Sequence, residues 1–120
     1  MTAGYSGTPL GQKLGIKDGS RVAVLAAGVE QPLEGPYDVI VFFATHWRDV
    51  ASELPELRKL MEPNARLWIG WPKRGSKIET DITENVLRDV ILPSGLVDNK
   101  VAAIDGRWSG LQFVIRLVNR

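Results

Sequence analysis

Apolar runs separated by amphipathic segments predict that strands and helices alternate along this chain. Residues 21–26 (RVAVLA) and 39–44 (VIVFFA) are nearly continuously apolar, which is typical of strands covered on both faces of a sheet. Residues 66–71 (RLWIGW) have the same character. Residues 96–104 and 111–118 follow, and the polar turn between them predicts an antiparallel hairpin. The pattern therefore predicts five strands.

Three further segments are predicted to be helical. A Thr-Pro pair at residues 8–9 is typical of a helix start. Residues 47–61 place apolar side chains at spacings of three and four, although Pro55 predicts a kink or a division into two short helices. A third helix is predicted to begin at Asp81, whose spacing to Glu84 resembles a capping box.

This order of elements predicts an α/β fold. Because strands that alternate with helices form parallel sheets with right-handed crossovers, we expect a truncated Rossmann-like, three-layer sandwich. Its five-stranded sheet is predicted to be mostly parallel, with an antiparallel hairpin at its C-terminal end. Residues 1–120 are predicted to form a single domain, on which residues 1–20 pack as an N-terminal arm and short helix.

The connector between the first two predicted strands, the eleven residues from Ala26 to Pro36, is short for a parallel return, which usually takes a dozen or more residues. Fully extended it spans about 36 Å, so a coil crossover is long enough. We favour parallel pairing, with antiparallel pairing or none as the alternative. The strand from Arg21 to Ala26 then lies at an edge. Since an uncovered apolar edge strand pairs readily, we predict a homodimer through it, unless the N-terminal segment covers it.

Six distinctive blocks follow one another along the sequence: GYSGTPL, GPYDVIVFF, LWIGWPK, TDITENVLRDV, GLVDNK and WSGLQFVIR. Together they resemble a bacterial family of uncharacterised short domains that is related in fold to class I S-adenosylmethionine-dependent methyltransferases. The blocks span nearly the whole chain. The resemblance implies a methyltransferase-type Rossmann sheet and no particular chemistry. Compared with members of that family, this chain is shorter after its first strand.

The loop after the first strand lacks most of what an adenosylmethionine or dinucleotide site requires. Such a site takes glycines for close backbone approach, a helix N-terminus, and a carboxylate that ends the second strand. Directly after the strand this loop offers one glycine, Gly28, and it has no G-x-G-x-x-G motif. We therefore expect no cofactor. The alternative is that Glu30 or Glu34 binds the ribose in place of a carboxylate at the end of the second strand.

Composition narrows the classes of function. The formal net charge is +1, so we expect neither nucleic acid nor a membrane as a partner. The sequence has no cysteine, which excludes disulfides and thiolate metal sites, and one histidine is a poor basis for a zinc site. The first residues lack the apolar core of a signal peptide, which favours a cytoplasmic location.

Ligands in open α/β sheets bind at the carboxyl ends of the strands, where the second and third strands are followed by polar residues. His46, the only histidine, follows the second strand and is a candidate ligand-binding residue, or simply a helix start. Lys73 and Arg74 follow the third strand in a basic loop that suits a phosphate or carboxylate. A solvated loop without a ligand is the alternative reading of these two cations.

Polar residues also interrupt the fourth predicted strand. Alternation predicts that Asp98 and Lys100 share one face and that Asn99 lies on the other. They are expected either to line a small polar pocket with Lys73 or to protect an edge strand from aggregation.

These features predict a noncatalytic module that binds a small anionic ligand or a protein partner at the C-terminal edge of the sheet. A minimal S-adenosylmethionine-dependent methyltransferase, completed by a dimer partner, is the alternative, and a purely structural subunit is a third class. No residue is assigned a catalytic role.

Overall fold

The computed structural model of the protein describes residues 10–29 and 34–120. Residues 8–9 and Glu30, which carried two of the expectations above, lie outside the described residues. Each predicted strand overlaps an observed one, but the last strand begins and ends earlier than predicted. The strands are β1 Val22–Ala26, β2 Tyr37–Phe43, β3 Met61–Pro72, β4 Leu96–Ala103 and β5 Trp108–Ile115, and the helices are α1 Leu10–Lys13, α2 Trp47–Lys59 and α3 Glu84–Ile91.

The five described strands form one sheet in the order β1-β2-β3-β5-β4. β1 pairs parallel with β2, and β2 pairs parallel with β3, so the favoured parallel return between the first two strands is confirmed. β5 pairs antiparallel with both β3 and β4. The sheet is therefore mixed, and the expectation of a mostly parallel sheet is wrong, because β5 lies between β3 and β4 and runs against both.

Both longer helices cover the same face of the sheet. Side chains of α2 and α3, such as Val50 and Leu87, pack in one cluster with Ile40 and Phe42 of β2. The opposite face carries a smaller cluster around Trp68. In the described residues this face has no helix longer than α1, so the expected third layer is reduced there to a short segment. No helix among the described residues has the length and apolar character that a membrane span needs.

β1 is buried on one face only. Ala23 and Leu25 are buried in the larger cluster, whereas Val24 is 60% exposed and Ala26 is exposed too. The expectation that both faces of this strand are covered is therefore wrong for β1, although it holds for the centre of β2, where Val39 to Phe42 are all buried. The apolar composition predicted the strand correctly. The strand is buried on one face only because no described segment covers the face that carries Val24.

A buried hydrogen bond fixes the N-terminal segment on the smaller cluster. The Trp68 indole N–H donates to the Leu14 carbonyl at 3.0 Å, and both side chains are buried. Gly15 follows with a φ of 84°, and a Cβ there would lie 2.6 Å from the Arg66 side chain. The turn after α1 thus needs glycine for its conformation and for the close approach of β3.

The two longer helices differ from the sequence expectation in detail. α2 continues through the exposed Pro55 as one helix, so the expected division into two helices is wrong. α3 is capped by Thr83, whose hydroxyl accepts a hydrogen bond from the Val86 N–H at 3.1 Å. Asp81 is therefore not the cap, because its carboxylate is bound to the start of α2 instead.

We predict that Trp68→Phe lowers the free energy of unfolding by about 1–3 kcal/mol, because the buried Leu14 carbonyl loses its donor. Trp47→Phe is the matched control, since Trp47 is 41% exposed, and it is expected to change stability little. Urea unfolding followed by circular dichroism measures both variants. Equal losses for the two would contradict the anchoring role of Trp68.

The predicted homodimer through β1 has a specific test. The Arg21 carbonyl accepts from β2 and the Ala27 N–H donates to it, so by alternation Val24 directs its own N–H and C=O away from the sheet. Val24→Pro removes an outward donor, which an edge strand tolerates, and is expected to dissociate the dimer with little loss of fold. Ala23→Pro is the control that removes a bond to β2 and is expected to destabilise the monomer.

Light scattering at high protein concentration gives the molecular mass in each case. A wild-type protein that is monomeric there, or a Val24→Pro variant with the wild-type dimer mass, would contradict pairing through β1.

Candidate functional site

An open cleft lies at the carboxyl ends of β1 and β2. Its volume is about 470 Å³, which is in the range of small-molecule sites. The end of β1, the end of β2, the first turn of α2 and the turn between β4 and β5 all contribute to its lining. The lining residues are Ala26, Ala27, Phe43, Ala44, Thr45, Asp49, Asp105 and Trp108.

Two aromatic rings form one wall of this cleft, and a glycine in β3 makes room for them. Phe43 and Trp108 meet edge to face, with ring centroids 5.1 Å apart and an interplanar angle of 78°. A Cβ on Gly70 would lie 2.8 Å from the Phe43 ring and 3.0 Å from Ile104. The absence of a side chain at Gly70 therefore allows the Phe43 ring to pack closely against β3 and to contact Trp108.

The turn between β4 and β5 positions Trp108. The Asp105 carboxylate accepts hydrogen bonds from the backbone N–H groups of Arg107 and Trp108, at 2.7 and 2.9 Å. The Trp108 carbonyl in turn accepts from the Ile104 N–H at 2.9 Å. Both bonds to Asp105 go to Oδ1, which leaves Oδ2 for a ligand.

The ionisable side chains that line the cleft are carboxylates. Asp49 is half-buried in the first turn of α2, and within the described part of the chain no side chain or backbone group pairs with its carboxylate. Asp105 is the second, and among the described residues no lysine or arginine lines the cleft. The cleft therefore favours positive charge, whereas the sequence led us to expect an anionic ligand at this edge.

His46 lies next to the cleft residue Thr45 and is the residue before α2, as one sequence alternative expected. Its Nδ1 is 3.6 Å from Oδ2 of Asp81, and Oδ1 of that carboxylate accepts the Trp47 N–H at 2.8 Å. The Thr80 hydroxyl donates to the Thr45 carbonyl at 2.6 Å. Asp81 is thus a neighbour of His46 that sequence distance concealed, because hydrogen bonds that join Asp81 to Trp47 and Thr45 bring the two residues together.

Lys73 and Arg74 lie at the same edge of the sheet but do not line the cleft. The Lys73 N–H donates to the Arg107 carbonyl at 2.8 Å, which joins the loop after β3 to the turn before β5. Lys73 is half-buried and Arg74 is exposed. Sequence reasoning missed Arg107, since only the antiparallel pairing of β3 with β5 brings it beside Lys73.

The structure separates Asp98, Asn99 and Lys100 from Lys73. Asp98 pairs with Phe113, which in turn pairs with Leu67 of β3. Lys73 comes directly after Pro72, and Pro72 lies five residues beyond Leu67 along that strand. At about 3.4 Å a residue, that is about 17 Å along the strand. The expected polar pocket that joins these residues to Lys73 is therefore not formed.

A β-bulge in β4 also changes the face of the sheet on which its polar side chains lie. The register with β5 shifts between Asp98 and Lys100, so the two side chains no longer share a face. The Asp98 carboxylate accepts from Nε of Arg88 at 3.0 Å on the α3 side, and this hydrogen bond raises the pKa of Arg88. The Lys100 ammonium donates to the Lys13 carbonyl at 2.9 Å on the α1 side, and Asn99 accepts from the buried Gln112 at 2.7 Å.

Glu34 lies at the wrong edge to act as a ribose ligand. It precedes Gly35, which packs against Leu60, and the Tyr37 N–H donates to the Leu60 carbonyl. These contacts place Glu34 at the amino ends of the strands, across the sheet from the cleft. Within residues 10–29 and 34–120, no group of three or more His, Asp or Glu side chains is placed to hold a metal ion.

No family model matches the chain, and no curated protein matches it. Two solved structures share its fold. One is an SAM-dependent methyltransferase from Aquifex aeolicus, with 17% identity and a TM-score of 0.54 over 68% of this chain and 48% of that one. The other is the magnesium protoporphyrin IX methyltransferase ChlM from Synechocystis PCC 6803 with bound SAM, with 14% identity and a TM-score of 0.52 over 69% of this chain and 41% of that one.

This chain has a methyltransferase-like Rossmann fold. It spans less than half the length of either neighbour, and at these identities the likeness shows the fold alone. The neighbours agree with the fold relationship to methyltransferases that the sequence resemblance implied. The resemblance to a family of short bacterial domains stays a prediction.

We predict that Gly70→Ala lowers the free energy of unfolding by about 1–3 kcal/mol, because the added methyl group displaces the Phe43 ring and Ile104. Gly75→Ala is the matched control, since a Cβ there meets nothing within 4 Å. Thermal unfolding followed by tryptophan fluorescence measures stability and reports on the Trp108 environment. A Gly70→Ala variant as stable as Gly75→Ala would contradict the close packing of this wall.

Proposed function

We propose that the protein is a small-molecule-binding module whose ligand places a positively charged group in the cleft between β1 and β2. The half-buried Asp49 carboxylate, unpaired within the described residues, carries this proposal. A partly buried charge without a partner is costly, and a ligand cation removes that cost. The free Oδ2 of Asp105 offers a second acceptor.

The aromatic wall supports the same ligand class. A cation within about 6 Å of an aromatic ring is stabilised by about 0.5–2 kcal/mol, most strongly by tryptophan. Trp108 and Phe43 both line the cleft, next to three alanines that leave room for a compact group. The cleft thus combines negative charge with aromatic faces, the combination by which proteins recognise quaternary ammonium groups and which also suits a sulfonium.

A minimal S-adenosylmethionine-dependent methyltransferase is the second candidate. S-adenosylmethionine carries both a sulfonium and an ammonium cation, and one neighbour of this fold was solved with SAM bound. The cleft residues fit those cations. The described residues do not fit the nucleoside, because Gly28 is the one glycine at the carboxyl end of β1 and Glu34 lies at the opposite edge of the sheet. Binding without methyl transfer is therefore our leading proposal.

Calorimetry tests the proposal with three probes: S-adenosylmethionine, its uncharged-sulfur product S-adenosylhomocysteine, and choline. We expect a cationic probe to bind, and Asp49→Asn to weaken that binding about tenfold or more, since hydrogen bonds to charged groups contribute about 1.5–3 kcal/mol. Asp89→Asn is the matched control on exposed α3 surface and is expected to leave binding unchanged.

The pattern across the probes separates the candidates. Choline binding that depends on Asp49 supports a general cation site, whereas binding of S-adenosylmethionine alone, with methyl transfer to an acceptor, supports the second candidate. Failure of every cation to bind, or equal losses in Asp49→Asn and Asp89→Asn, would overturn the cation site.

A further inference from the structure

We infer that a second site, separate from the cleft, binds a small phosphate-bearing molecule at a basic rim formed by Lys73, Arg74, Lys77 and Arg107. The rim lies at the same carboxyl edge of the sheet, where β3 ends and β5 begins. It does not depend on the cation proposed for the cleft, because none of its four residues lines that cleft.

Tertiary structure, not sequence, assembles this rim. Three of its cations come from the loop after β3 and one from the turn before β5. The hydrogen bond from the Lys73 N–H to the Arg107 carbonyl, at 2.8 Å, holds the two segments side by side. Pro72 pairs with Trp108 immediately before that bond, so the junction continues the β3–β5 ladder.

The backbone of the rim is held in place by local hydrogen bonds. The Ser76 hydroxyl donates to the Lys73 carbonyl at 2.7 Å and accepts from the Ile78 N–H at 3.3 Å. On the other segment, the Arg107 N–H donates to Asp105 at 2.7 Å. A fixed backbone lowers the entropy that a ligand must remove when it orders the long cationic side chains.

The four cations are not neutralised by the described part of the protein. None of them forms an ion pair there, whereas Lys59 and Arg88 do pair with glutamates of their own helices. Arg74, Lys77 and Arg107 are exposed. Four unpaired cations close together repel one another, and a compact polyanion relieves that repulsion more than a single carboxylate does.

Phosphate fits this rim better than other anions. The guanidinium group of arginine can donate two hydrogen bonds to the oxygens of one phosphate, and lysine adds a compact positive charge. Two arginines and two lysines therefore suit a diphosphate group. The net charge of the whole chain is only +1, so the positive potential is local. A local cluster favours a compact ligand over an extended nucleic acid, which is held by charge along its length.

The test uses inorganic pyrophosphate as the probe and calorimetry at low ionic strength. Lys73→Gln/Arg107→Gln is the rim variant. Lys17→Gln/Lys59→Gln is the control: it removes the same charge from the opposite edge of the sheet, where both residues are exposed. We expect the rim variant to weaken pyrophosphate binding about fivefold to tenfold, with a change of less than about twofold in the control.

Equal weakening in the two double variants, or no binding by the wild-type protein, would overturn the rim. Asp49→Asn keeps the two proposals apart, because it is expected to leave pyrophosphate binding intact or strengthen it. A single-stranded oligonucleotide that binds more tightly as it lengthens, with pyrophosphate unable to compete, would overturn the small-molecule assignment in favour of nucleic acid.

Discussion

The parallel pairing of β1 with β2 is the constraint on which the rest of this structure depends. Because the two strands run in the same direction, their carboxyl ends reach the same edge of the sheet. The connection between them brings no described helix onto the second face, where Val24 remains exposed. The same short connection thus creates the cleft at one edge and the uncovered face of β1.

Packing around Gly70 turns that edge into a shaped cleft. Without a side chain at Gly70, Phe43 lies against β3 and meets Trp108, which the Asp105 turn holds in place. The result is an apolar wall beside two carboxylates. Since the wall excludes water on one side, a charge in front of Asp49 interacts more strongly than it would on an open surface.

Charge is divided between the two parts of this edge. Asp49 and Asp105 line the cleft, while the cations of the basic rim lie where β3 ends and β5 begins and do not line it. The Asp105 turn belongs to both, since Arg107 is part of the rim and Trp108 is part of the cleft wall. A formal net charge of +1 conceals this division, because opposite charges at neighbouring sites cancel in the sum.

Pairing register decided several features that local patterns suggested differently. The bulge in β4 sends Asp98 to Arg88 and Lys100 to Lys13, although simple alternation placed them together. Asp81 has the spacing of a helix cap, yet it binds the start of α2, and Thr83 caps α3 in its place. In each case a contact distant in sequence outweighed a local preference of about 1 kcal/mol.

The sequence by itself determined the α/β class and the approximate positions of the strands and the longer helices, because apolar runs and helical periodicity are local patterns. It also determined that His46, Lys73 and Arg74 follow strands at the carboxyl edge of the sheet. Only the tertiary structure decided that Asp49, Asp105 and Trp108 form the cleft and that Arg107 joins Lys73. The physical reason is that these neighbours are set by which strands pair and in what register, and strand pairing leaves no local trace in the chain.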